Sequence, residues 1–130
     1  MSNFDFLESE WATIHEAAEK AESLAIPDPR TACFYSRRAL ELAVAWAYKY
    51  DRSLTLPYQD NISALIHEPT FKKLTGEAVF NKTKVLITLG SRAVHIHRPI
   101  PETDSIVAVR ELFHICYWFA RIYGRRKRPA

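Results

Sequence analysis

Leu7, Trp11, Ile14, Ala18, Ala21 and Ala25 recur at alternating steps of four and three, the spacing that gathers apolar residues into one stripe of an α-helix. The same segment carries Asp5, Glu8, Glu10, Glu16, Glu19 and Glu22, so the pattern predicts an outer helix over about 4–25 with an acidic exposed side. Ile26-Pro27-Asp28-Pro29 stops it and opens the next helix. Asp28 takes the N-cap and Pro29 the first helical position, where a missing amide hydrogen is no loss. That second helix is expected to run to about Tyr50. Leu40, Leu42, Ala43, Val44, Trp46, Ala47 and Tyr48 make it apolar nearly all round, which predicts a central helix touched from several sides.

Beyond a connector at 54–57, the pattern predicts short helical pieces at 61–68 and 70–74, then a longer helix at 77–89 closed by Gly90. Residues 91–102 contain Pro99 and Pro101 and are expected to form a loop, because proline interrupts helical hydrogen bonding. The last helix is predicted from Thr103 as N-cap. Ile106, Val109, Phe113, Cys116, Ala120 and Tyr123 form one apolar face and Leu112, Ile115, Trp118, Phe119 and Ile122 a second. Gly124 ends it, and 125–130 reads as a basic linker. The fold class expected is all-α, a compact bundle of about five to six helices over 1–124.

The whole chain is 130 residues with 48% hydrophobic residues, enough for one ordinary core and too short for a multidomain enzyme. Its three glycines are too few for a many-turned β fold or a glycine-rich phosphate loop. The net charge of +3 is uneven, since Arg121, Arg125, Arg126, Lys127 and Arg128 stand in the last ten positions. Without those five the span 1–120 is left at −2, so the folded body is slightly acidic and does not look like a nucleic-acid-binding face. Cys33 and Cys116 lie in apolar helical patterns without the paired spacing of a zinc or redox motif, and both are expected to be reduced core thiols. No secretory signal is visible, and the longest apolar run, 42–48, is seven residues against the ~18 that a membrane span needs. No membrane association and a cytoplasmic location are therefore expected.

Candidate chemistry concentrates at Ser91, Arg92, His95, His97 and Arg98. An imidazole can move a proton near neutral pH, and a guanidinium beside it can stabilise a developing phosphorane. Arg92 and His97 have the spacing of the Arg-to-His pattern in metal-independent ribonucleases of the helical HEPN superfamily. The heavier expectation is structural: His95 packs under the loop and donates to a carbonyl freed where the helix ends at Gly90. His95 and His97 lack the further ligands that a metal site requires, and none is expected there. His15, His67 and His114 stand singly on helices and are expected to be surface or satisfied core residues. Arg37 and Glu41 have the spacing of a helix-surface ion pair, and Arg38 beside them is a candidate to meet the His95 segment. Arg125, Arg126, Lys127 and Arg128 are candidate phosphate contacts.

Asn3-Phe4-Asp5-Phe6-Leu7, Ser36-Arg37-Arg38-Ala39-Leu40-Glu41, Leu89-Gly90-Ser91-Arg92-Ala93-Val94-His95 and Tyr117-Trp118-Phe119, taken in order, resemble the helical N-terminal domain of the restriction (R) subunit of type I restriction-modification enzymes. That domain is HEPN-like, and its Gly-Asn-x-Ala-Val-His signature reads here as Gly90 to His95 with Ser91 in place of Asn. The family histidine falls on His95, whereas the Arg-to-His spacing selects His97. The resemblance implies a noncatalytic accessory or docking domain, with Arg37, Arg38, Glu41, Ser91 and His95 as candidate docking or ligand residues. It further implies a longer parent that continues into nuclease and helicase domains, uses ATP and Mg, and cleaves unmodified foreign DNA together with methylation and specificity subunits. This domain itself would need no cofactor. The alternative is a HEPN-like metal-independent ribonuclease or nucleotide-binding domain that uses Arg92, His95 and His97.

Overall fold

The structure, a computed structural model, describes residues 1–125. It is all-α, with no strand among the described residues. A single 3-10 turn, Asp5–Leu7, precedes α1 (Ala12–Leu24), α2 (Pro29–Tyr50), α3 (Ile62–His67), α4 (Pro69–His95) and α5 (Glu102–Tyr123). α2 is the hub, packing on α1, α3, α4 and α5. Among these residues no helix is long and apolar enough to cross a membrane.

The first helix begins later than its periodicity predicts. Leu7 and Glu8 donate their amides back to Phe4 and Asp5 at 3.0 and 3.1 Å, the tighter i to i+3 pattern of a 3-10 turn. Phe4, Leu7, Trp11 and Ile14 are nonetheless all buried, so the apolar stripe survives a change of pitch. Phe4 and Phe6 meet Phe113 of α5 edge to face at 5.8 and 6.0 Å. Trp11, Trp46 and Phe119 form a second aromatic cluster with centroids 5.0 to 5.7 Å apart.

Asp28 caps α2 as expected, accepting the Thr31 amide at 3.2 Å. The 70–74 and 77–89 pieces are two limbs of α4 separated at Gly76, whose φ of 74° and ψ of 170° interrupt the helix. That backbone region is essentially reserved for glycine. The second limb does not stop at Gly90 but continues to His95. Gly90 is instead a point of close helix approach: a Cβ there would lie 2.5 Å from Cβ and 2.6 Å from Cδ of Arg37. Thr103 is likewise not a cap. α5 starts at Glu102 after Pro101, and Ser105 fastens this end by donating to the carbonyl oxygens of Ala25 and Glu102 at 2.5 and 2.9 Å.

The C-terminal end of α2 is tied to that of α5. Tyr123 donates its phenol hydrogen to Asp51 Oδ2 at 2.5 Å, while Asp51 Oδ1 accepts the Ser53 hydroxyl at 2.6 Å. The Ser53 hydroxyl first and the Tyr123 phenol second hold the Asp51 carboxyl below its ordinary range. Burial, with the Asp51 charge beside it, pushes the Tyr123 phenol up.

Gly90→Ala should destabilise by about 1–2 kcal/mol in urea titration although alanine is the better helix former, because the Arg37 Cβ cannot swing away. Gly76→Ala should also destabilise, through backbone conformation alone, since nothing lies within 4 Å of its would-be Cβ. Tyr123→Phe should remove about 1 kcal/mol at neutral pH. Because the carboxyl of Asp51 is depressed in the folded state, the difference between wild type and Tyr123→Phe should be full above about pH 4 and narrow as pH falls further.

Candidate functional site

α2 and α4 run antiparallel, with Arg30 of α2 against residues 93–98 and Arg37 against Ile87 and Gly90. Between them and the 60–65 segment lies an open cleft of about 540 Å³. It gathers Arg37, Arg38 and Glu41 of α2, Asp60 and Asn61 before α3, and Ile87 and Ser91 of α4. Four of the five predicted docking residues thus share one cavity.

Arg37 has a structural part in it. Its stem occupies the space over Gly90, its Nη1 donates to the Ile87 carbonyl at 3.4 Å, and its Nε lies 3.8 Å from Glu41 Oε2. Arg38 is exposed and has no hydrogen bond or ion pair among the described residues. Ser91 lies across the cleft on α4. One turn beyond Ser91 stands His95, exposed at the last position of α4, so it extends the same face of that helix without lining the cleft. Toward the same end of the helix pair, Phe34 and Val94 are 47% and 59% exposed. The cleft lining thus combines the open Arg38 cation with the Glu41 and Asp60 carboxylates and the Ser91 hydroxyl.

The expected bond from His95 to a carbonyl freed at Gly90 is not formed, because Gly90 is inside the helix. One carbonyl of the last turn of α4 and two just beyond it are bonded from α2. Arg30 Nη1 donates to the Ala93 carbonyl and, at 2.8 Å, to that of Ile96, and Arg30 Nη2 donates to the Arg98 carbonyl at 2.8 Å. Arg30 escaped the sequence reading, although one signal was there. A cation in the first turn of a helix opposes the dipole and stays there comfortably only when another element employs it.

Arg92 pairs with α5, its Nη2 3.7 Å from Asp104 Oδ2. That oxygen is buried without a hydrogen bond, so Arg92 balances its charge. Cys33 lies close by; burial first, then the Asp104 charge, pushes its thiol up to about 11 against the opposing pull of Arg92. Burial alone raises Cys116 to about 12. Both thiols are buried and free, as expected for core cysteines. His97 and Arg98 are exposed in the connection to α5.

Of the basic end, Arg125 donates its backbone amide to Glu10 Oε1 at 3.1 Å, while Arg126, Lys127 and Arg128 lie outside the described residues. Arg30→Ala should destabilise the chain by about 2 kcal/mol and speed amide exchange selectively at 93–98. Arg30→Lys should recover only part of this, since one ammonium on a flexible stem does not reproduce a planar fork reaching three carbonyls. Comparison with models of known families, with curated proteins and with solved structures found no match.

Proposed function

We propose that the chain is a noncatalytic, HEPN-like docking domain of a type I restriction R subunit, acting in the cytoplasm through the α2/α4 face. The observation that carries the reading is the division of labour among the arginines. Arg30 and Arg92 are engaged in holding helix ends and a buried carboxylate, Arg37 fills the space over Gly90, and Arg38 alone of these four stands open beside Ser91 and near exposed Phe34 and Val94. The Ser36–Glu41 and Leu89–His95 segments that carry the resemblance to that family are also the segments that form this face.

On this reading the partners are the downstream nuclease and helicase domains of a longer parent, or its methylation and specificity subunits. ATP and Mg serve the parent's motor and nuclease, and DNA is reached through the assembled complex. The basic residues Arg125 to Arg128 would then join domains and add a salt-dependent DNA contact.

The test is to extend the reading frame past Ala130 and express the parent with its partner subunits. Phe34→Asp with Val94→Asp should weaken assembly by at least about tenfold and leave the melting of the 130-residue chain nearly unchanged, as exposed substitutions usually do. Cleavage of single-stranded RNA by the purified chain in chelator, lost in both His95→Ala and His97→Ala, would overturn the docking reading in favour of a ribonuclease.

A further inference from the structure

Away from the cleft, metal-ligating atoms converge where the 3-10 turn meets α1. His15 Nε2 lies 3.0 Å from Asp5 Oδ1, 3.7 Å from Glu8 Oε2 and 3.8 Å from Glu19 Oε2. Ligand atoms of Asp5, His15 and Glu19 all fall within 4.8 Å of one another. The imidazole is mostly buried, its side chain 12% exposed, while the three carboxylates are open to solvent.

Ion pairing accounts for only part of this arrangement. A protonated Nε2 offers one hydrogen, and Asp5 at 3.0 Å takes it. The Glu8 and Glu19 oxygens are directed at the same nitrogen from beyond hydrogen-bond distance, with no second proton to share. Three negative charges surround at most one positive imidazole, and the other cation acting on Asp5 is the chain's own N-terminal ammonium. A divalent ion would balance that charge and take one oxygen from each carboxylate it binds.

We propose that Asp5, His15 and Glu19 bind one divalent transition-metal ion, zinc(II) fitting best, with water as the fourth ligand. Zinc bonds of about 2.0–2.1 Å to nitrogen and oxygen imply ligand separations of about 3.4 Å in a tetrahedron; the His15 nitrogen lies 3.0 Å from the Asp5 oxygen and 3.8 Å from the Glu19 oxygen, on either side of that value, and the three ligand atoms all lie within 4.8 Å of one another. One imidazole among carboxylates suits zinc and its neighbours, whereas magnesium and calcium favour oxygen alone. His15 and Glu19 are four apart on α1 and share a face. Asp5 comes from the 3-10 turn. The ion is thus a clip that fastens the turn carrying Phe4 and Leu7 to α1. Binding releases any proton on Nε2 to solvent and leaves Nδ1–H in place.

The test titrates zinc(II) into the 130-residue chain after treatment with chelator, followed by calorimetry and thermal melting. One ion per chain, a raised Tm and a tetrahedral cobalt(II) absorption spectrum are expected, with no such shift from magnesium at the same concentration. His15→Gln and Glu19→Gln should each lower zinc affinity by at least about tenfold, and His95→Ala with His97→Ala should leave it unchanged. Should His15→Gln fail to fold, the exposed Glu19→Gln still decides the matter. Absence of saturable zinc binding overturns the proposal, as does binding unaffected by Glu19→Gln.

Discussion

The close approach of α2 and α4 at Gly90 is the constraint on which the remaining geometry depends. Only hydrogen at residue 90 lets the Arg37 stem lie against the α4 backbone, and that contact fixes the antiparallel register of the two helices. The register in turn brings Arg30 opposite the end of α4 and leaves Arg38 facing Ser91 across the cleft. A bulkier residue would push α4 outward, and the Arg30 fork would lose three carbonyls together. Dense packing makes such a shift discrete rather than gradual, so the cleft and the end of α4 are set by the same contact.

Much of the fold was legible because helical periodicity survives small errors in boundary. The stripe from Leu7 to Ala21 is buried whether its first turn is α or 3-10, and the all-round apolar stretch in α2 does form the hub. Asp28, Pro29 and Gly124 mark boundaries where local chemistry alone decides. Gly90 misled because the same residue type ends helices and permits close packing, and only the position of Arg37, 53 residues earlier in the chain, distinguishes the two uses. Thr103 misled because the first turn of α5 is anchored through Ser105 to the Ala25 carbonyl, a tertiary bond with no local signature.

The candidate site was legible in its membership more than in its roles. Arg37, Arg38, Glu41 and Ser91 converge, but the residues that organise the His95 segment, Arg30 and Asp104, come from α2 and α5 and carry no motif. The convergence of Asp5, Glu8, His15 and Glu19 escaped notice for a similar reason. Each residue looks like an ordinary polar position on an acidic helix until the 3-10 turn folds the first two back toward the imidazole.

Charged and polar side chains that join elements recur at the edges of this core. Arg30 holds the end of α4, Lys82 meets Glu111 at 2.7 Å between α4 and α5, and Asp51 receives Tyr123 where α2 and α5 finish. Each group reaches beyond its own helix, so the apolar interior can stay free of charge while the perimeter fixes how the helices are set. Lys82, with Arg110, also holds the Glu111 carboxyl below its ordinary range against the opposing effect of burial. Against that pattern Arg38 stands out: it occupies the same kind of perimeter position, yet no neighbouring helix engages it. A long cation kept open beside Ser91 adds little to the stability of the isolated chain, because water solvates it as well as a neighbouring helix would.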